Sequence, residues 1–169
     1  MTTGFELSKK MMPYVCKTIA RIPAGIFFGI ETATFEQDTT QATDLILKLS
    51  GGNVAVRVRN FNYVYRHWQT IDKEPLAFDW SVRFQTRTNH RTEIDKLRDG
   101  FGRWYFMAVS NEDETDLWDW GIIDLDKCRE IDLFDNFYWQ INSNGDGSAG
   151  GYMAMRTVQE LNCLIYSKW

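Results

Sequence analysis

Residues 43–59 read TDLILKLSGGNVAVRVR. Two apolar-rich runs flank Ser50-Gly51-Gly52-Asn53, and a Gly-Gly pair between β-type runs signals a hairpin. A two-residue turn at Gly51 and Gly52 sets Ser50 against Asn53, Ile46 against Arg57, and Asp44 against Arg59. Side chains alternate along a strand, so Leu45, Leu47, Leu49, Val54, Val56 and Val58 share one face. Asp44, Ile46, Lys48, Ala55, Arg57 and Arg59 share the other. The first face is core. The second puts an acid opposite two arginines, which is either a cross-strand ion pair or the floor of a site.

The surrounding chain suits one domain, 1–169. At 169 residues it is long enough to bury roughly 70% of its unfolded surface. With 44% hydrophobic and 15% aromatic residues it is no disordered chain. Arg21, Glu31 and Glu36 interrupt the greasiest region, which excludes a membrane-spanning helix there. The three cysteines, Cys16, Cys128 and Cys163, are odd in number and widely spaced. They fit a reduced, cytoplasmic compartment better than a disulfide framework or a metal site. Net charge is −4 but unevenly spread. Residues 53–103 hold ten Lys/Arg against six Asp/Glu, whereas residues 104–140 hold two against ten. That distribution is either a positive groove with a negative rim or ordinary decoration of exposed faces.

Outward from the hairpin, helical spacing of Leu7, Met11, Met12, Val15 and Ile19 predicts a helix within 5–22. Its firm part is 13–22, because Pro13 suits a first turn. A strand over 26–34 follows. After the hairpin a strand extension and a loop fill 60–76, and Trp80, Val82 and Phe84 alternate cleanly in a strand over 79–87. Thr92 is a candidate N-cap for a helix over 93–100. Residues 104–110 (WYFMAVS) read as a fully buried strand, and 117–125 as another. One helical turn over 127–131, a strand over 133–141, a flexible loop over 142–151, a short strand over 152–156 and a final helix over 157–166 complete the chain. The order predicts α/β or α+β, with a mixed central sheet and flanking helices.

That order, with an acid on the first hairpin, resembles the PD-(D/E)xK, or restriction-endonuclease-like, nucleases. In that family an Asp on one strand and an E-x-K triplet on the next hold a divalent metal. Hard cations such as Mg²⁺ take oxygen ligands, and phosphodiester cleavage needs an activated water and stabilised phosphate charge. Thr43-Asp44 stands where the family has Pro-Asp. On the hairpin, Arg57-Val58-Arg59 stands at the triplet, with arginine replacing both Glu and Lys. On the later strand the candidates are Ser81-Val82-Arg83 and Gln85-Thr86-Arg87, and some relatives of the family use Q-x-K. Glu93 then supplies the missing carboxylate, with Lys96 beside it.

The resemblance implies a nucleic-acid-binding, Mg²⁺-dependent hydrolase, with DNA favoured over RNA. Asp44 is then the first metal ligand and Glu93 or Asp79 the second. Arg83 or Arg87 takes the Lys role, Gln85 belongs to the triplet, and Arg57, Arg59 and Arg66 hold phosphate. A cross-strand ion pair and solvated helix charges are the plain alternatives for the same residues. The rival function is a non-enzymatic protein-binding module, such as an inhibitor of a nucleic-acid enzyme, acting through the acidic residues 112–119. A protein partner or a second copy of the chain also stays open. His67 and His90 lie in no nucleophile pattern, residues 144–148 lack the ligands of a calcium loop, and Trp118, Trp120 and Trp139 read as core before they read as stacking platforms.

Overall fold

The computed structural model describes residues 4–22, 30–32, 45–47, 52–62, 64, 76–88 and 90–168. Helix α1 (Gly4–Ile19) lays Leu7, Met11, Val15 and Ile19 in one buried stripe. It begins well before Pro13, which lies exposed inside it. The missing Pro13 N–H would have bonded the Lys9 carbonyl. That position is exposed too, so water can serve the carbonyl while the buried stripe holds the helix through.

The stripe covers one face of a six-stranded sheet. The strands are β1 (Ile30–Thr32), β2 (Leu45–Leu47), β3 (Gly52–Arg59), β5 (Trp104–Ser110), β6 (Leu117–Asp124) and β9 (Leu164–Ser167), side by side in that order. β3 and β5 run parallel and every other neighbouring pair antiparallel. Val54, Val56 and Val58 meet α1 together with Trp104, Phe106, Ala108 and Ile122. The opposite face meets a three-stranded sheet ordered β4 (Asp79–Gln85), β8 (Ala149–Ala154), β7 (Gln140–Ser143). Packed there too are the short helices α2 (Glu93–Arg98), α3 (Leu125–Glu130) and α4 (Met155–Glu160). The fold is α+β with two sheets. All seven residues of β5 are buried because both its faces are covered, as its unbroken apolar run requires.

The hairpin register differs from the sequence expectation. Leu45 pairs with Val54, Ile46 with Asn53 and Leu47 with Gly52, so Gly52 is a strand residue rather than half of a two-residue turn. Relative to that expectation the partner of Ile46 shifts from Arg57 to Asn53, an even number of positions. An even shift leaves each face intact: alternation fixes which residues are core but leaves register to the turn.

Four further segments depart from expectation. Residues 61, 62 and 64 are helical instead of extending β3, with the Val64 N–H on the Asn60 carbonyl (3.2 Å). Asn60 starts this turn by accepting the Asn62 N–H on its side chain (2.9 Å). Residues 133–139 form turns and a short 3₁₀ helix (Asn136–Tyr138) before β7. Buried Trp139 donates to the Leu133 carbonyl at 2.8 Å and closes that segment on itself. Residues 140–154 are a hairpin of β7 and β8, not a loop; Asp146 accepts from both the Ser148 N–H and hydroxyl at its tip. The last helix stops at Glu160, where Asn162 adopts φ 58° and the Cys163 N–H reaches back to the Val158 carbonyl (3.0 Å). That left-handed cap turns the chain into β9. No helix among the described residues is long and apolar enough to cross a membrane.

Candidate functional site

The face of β3 that looks away from α1 carries Ala55, Arg57 and Arg59. β5 lies beside it in parallel, with Ala55 opposite Tyr105 and Arg57 opposite Met107. β4 and α2 pack over this face and bring Ser81, Arg83 and Glu93 to it. Glu93 is the first residue of α2, whose start is fixed by Thr92: the Thr92 hydroxyl accepts the Asp95 N–H, and the Asp95 carboxylate accepts the Thr92 N–H.

Three donors converge on the Glu93 carboxylate. Oε2 accepts from Arg57 Nη2 and, at 3.0 Å, from the Arg83 backbone N–H. Oε1 accepts from the Tyr105 hydroxyl at 2.7 Å. The same hydroxyl accepts from Arg57 Nε at 3.1 Å, so arginine, tyrosine and glutamate close a ring of hydrogen bonds. Burial works against charge on Arg57, but the Glu93 carboxylate and Tyr105 outweigh it and push the guanidinium above its ordinary pKa. Burial, with the nearby carboxylate, also raises the Tyr105 phenol, which stays protonated and able to donate. Arg59 is placed two residues on, its Nε and Nη2 both reaching the Ser81 hydroxyl at 2.9 and 2.6 Å.

The structure therefore brings together Arg57, Arg59, Glu93 and the backbone of Arg83. β4 reaches them by packing across the sheet face, since it belongs to the other sheet. Asp79 is half-buried at the start of β4, and the side chains of Arg83 and Gln85 are exposed along it. Arg87 is exposed and pairs with Asp146 at the tip of the β7–β8 hairpin. Lys96 is half-buried on α2. Asp44 and Arg66 lie outside the described residues. Ser81, expected at the head of a candidate triplet, instead accepts from Arg59, and Tyr105 was not anticipated. The signal for Tyr105 lay in the sequence, because a tyrosine inside an otherwise apolar, fully buried strand needs a partner for its hydroxyl.

The acidic residues 112–119 differ in exposure. Glu112, Asp113 and Asp116 are exposed, but Glu114 takes Lys10 Nζ (2.5 Å) and Asn60 Nδ2 (2.6 Å). Asp119 is buried and accepts the Leu76 N–H at 2.9 Å.

Among the described residues no group of three or more His, Cys, Asp or Glu side chains is arranged around a common metal position. The Glu93 carboxylate is already engaged, by the Arg57 guanidinium and the Arg83 N–H on Oε2 and by the Tyr105 hydroxyl on Oε1. A cation at Glu93 Oε2 would compete with Arg57. Comparison with protein-family models, with curated proteins and with solved structures found no match for this chain.

Proposed function

We propose that this chain is a PD-(D/E)xK-like domain that binds nucleic acid through its backbone phosphates, with phosphodiester hydrolysis as its activity. The observation that carries the binding reading is the pair Arg57 and Arg59 on one face of β3, each anchored by the hydrogen bonds it donates to neighbouring elements. Arginine forks match phosphate oxygens bidentately, and anchoring them in advance lowers the ordering cost of binding. The exposed Arg83 side chain on β4 adds a third cation near the same face. The order α1, β1, β2, β3, then a crossover through α2 to β5 parallel with β3, supports the restriction-endonuclease-like reading. In that reading Mg²⁺ is held by Asp44, and the chain's own arginines position the phosphate.

The test is a binding and cleavage assay on single- and double-stranded DNA and RNA, with and without Mg²⁺ or Mn²⁺. Wild type is expected to bind, and Arg57→Gln together with Arg59→Gln to weaken binding by at least about tenfold, as loss of phosphate contacts does. Metal-dependent cleavage lost in Asp44→Ala supports the hydrolase. Cleavage intact in Asp44→Ala overturns the role of Asp44, and absence of binding to all four substrates overturns the reading as a whole.

A further inference from the structure

Glu93 engages Arg57 as a phosphate would. The guanidinium suits a carboxylate and a phosphate alike, and here it is taken by an acid 36 residues away in the chain. Arg57 is nevertheless not sealed off, since 28% of its side chain stays exposed. Its Nε also donates to the Tyr105 hydroxyl. The guanidinium thus keeps one anchor when the carboxylate leaves. Glu93 in turn stands on a helix whose start is fixed by Thr92 and Asp95, so rotation of the glutamate side chain alone frees Arg57.

Resting on the reading of this face as a phosphate-binding surface, we propose that Glu93 is an internal anion that competes with a nucleic-acid backbone phosphate for Arg57. Binding exchanges one anion for the other, and the fraction of chains with Arg57 released sets the apparent affinity. The same exchange frees the Glu93 carboxylate, which is spent while Arg57 holds it.

The experiment measures fluorescence anisotropy of a labelled DNA duplex and a labelled RNA strand, in EDTA, with wild type, Glu93→Gln, Arg57→Gln and the double variant. Gln keeps the size of Glu93 and can still accept from the Arg83 N–H. Glu112→Gln, at an exposed acid on the turn between β5 and β6, reports the general gain from deleting one negative charge. The expected result is that Glu93→Gln binds about fivefold or more tightly, within the usual span of coupling between linked equilibria. The gain should exceed that of Glu112→Gln and vanish when Arg57 is also Gln. Unchanged or weaker binding by Glu93→Gln, a gain no larger than that of Glu112→Gln, or a gain that survives in the double variant overturns the exchange.

A second measurement on the wild type needs no variant to fold. The side-chain carboxyl ¹³C resonance of Glu93 should move when the duplex is added, and its staying in place overturns the proposal. Binding that is lost in Arg57→Gln but not improved in Glu93→Gln sinks the exchange alone. Absence of binding by every chain sinks the phosphate reading with it.

Discussion

Tyr105 is the residue on which the polar cluster depends, because its hydroxyl serves both partners of the ion pair at once. It donates to Glu93 and accepts from Arg57 Nε inside a fully buried strand. Tyr105→Phe keeps the ring and its edge-on contact with Trp80, 5.3 Å between centroids, and removes only the oxygen. Two charged groups then lose a hydrogen bond where water is scarce. The expected cost is about 1–3 kcal/mol, read as a lower urea midpoint at unchanged slope. An unchanged midpoint would mean that solvent already satisfies Arg57 and Glu93. Each of these two residues was legible in the sequence as a group that carries chemistry. Their meeting was not, because it depends on the crossover that folds α2 over β3, and strand alternation is silent about that packing.

At the scale of elements, α2 owes its start to a device visible in the sequence. Thr92 precedes the helix and Asp95 stands at its third position, and each side chain caps the other's backbone. Thr92→Ala should cost about 1 kcal/mol, the typical loss of an N-cap. Hydrogen bonds from the Thr92 hydroxyl and backbone hold the Asp95 carboxyl below its ordinary 3.8. A carboxyl with a depressed folded pKa stabilises fully above the unfolded value, and that contribution is lost as pH falls through the folded one. The urea midpoint of wild type should therefore drop more steeply than that of Thr92→Ala on acidification through the carboxylate range. Equal slopes would disconnect Asp95 from the cap. β8 offers a steric counterpart. A Cβ on Gly151 would meet the Phe84 ring at 2.1 and 2.3 Å, whereas one on Gly145 in the neighbouring turn meets nothing within 4 Å. Gly151→Ala should destabilise by about 1–3 kcal/mol through overpacking, and Gly145→Ala should leave the thermal midpoint nearly unchanged.

These elements also mark how far sequence reading reached. Unbroken apolar runs and caps are local signals, and β5 and the start of α2 followed from them. Register and sheet membership are set by partners distant in the chain. The valines of β3 were assigned to the correct face although the hairpin pairing was displaced. β4 alternated as expected, yet it joined β8 rather than the sheet of β3. The segment after α4 has apolar residues at spacings that fit a helix or a strand. Asn162 in the left-handed conformation decides for the strand.

Over the whole molecule a net charge of −4 repels a polyanion at long range, so the proposed nucleic-acid binding requires a confined set of cations. The cluster on β3 and β4 is one such set, and Arg83 separates the roles of backbone and side chain within it. Its backbone N–H holds Glu93, while its guanidinium lies exposed on β4. Arg83→Gln preserves the first and deletes the second. The stability of the chain should then change by no more than about 0.5 kcal/mol, as for most surface substitutions. Binding should weaken by a similar factor on every nucleic-acid sequence, because a phosphate contact carries no base information. The slope of log affinity against log salt should fall by about 1, the loss of one phosphate neutralised. Anisotropy titrations of one duplex at several salt concentrations measure that slope directly. An unchanged slope with unchanged stability would place the phosphates elsewhere on the surface. A changed slope with sequence-dependent weakening would make Arg83 a reader of bases instead of backbone.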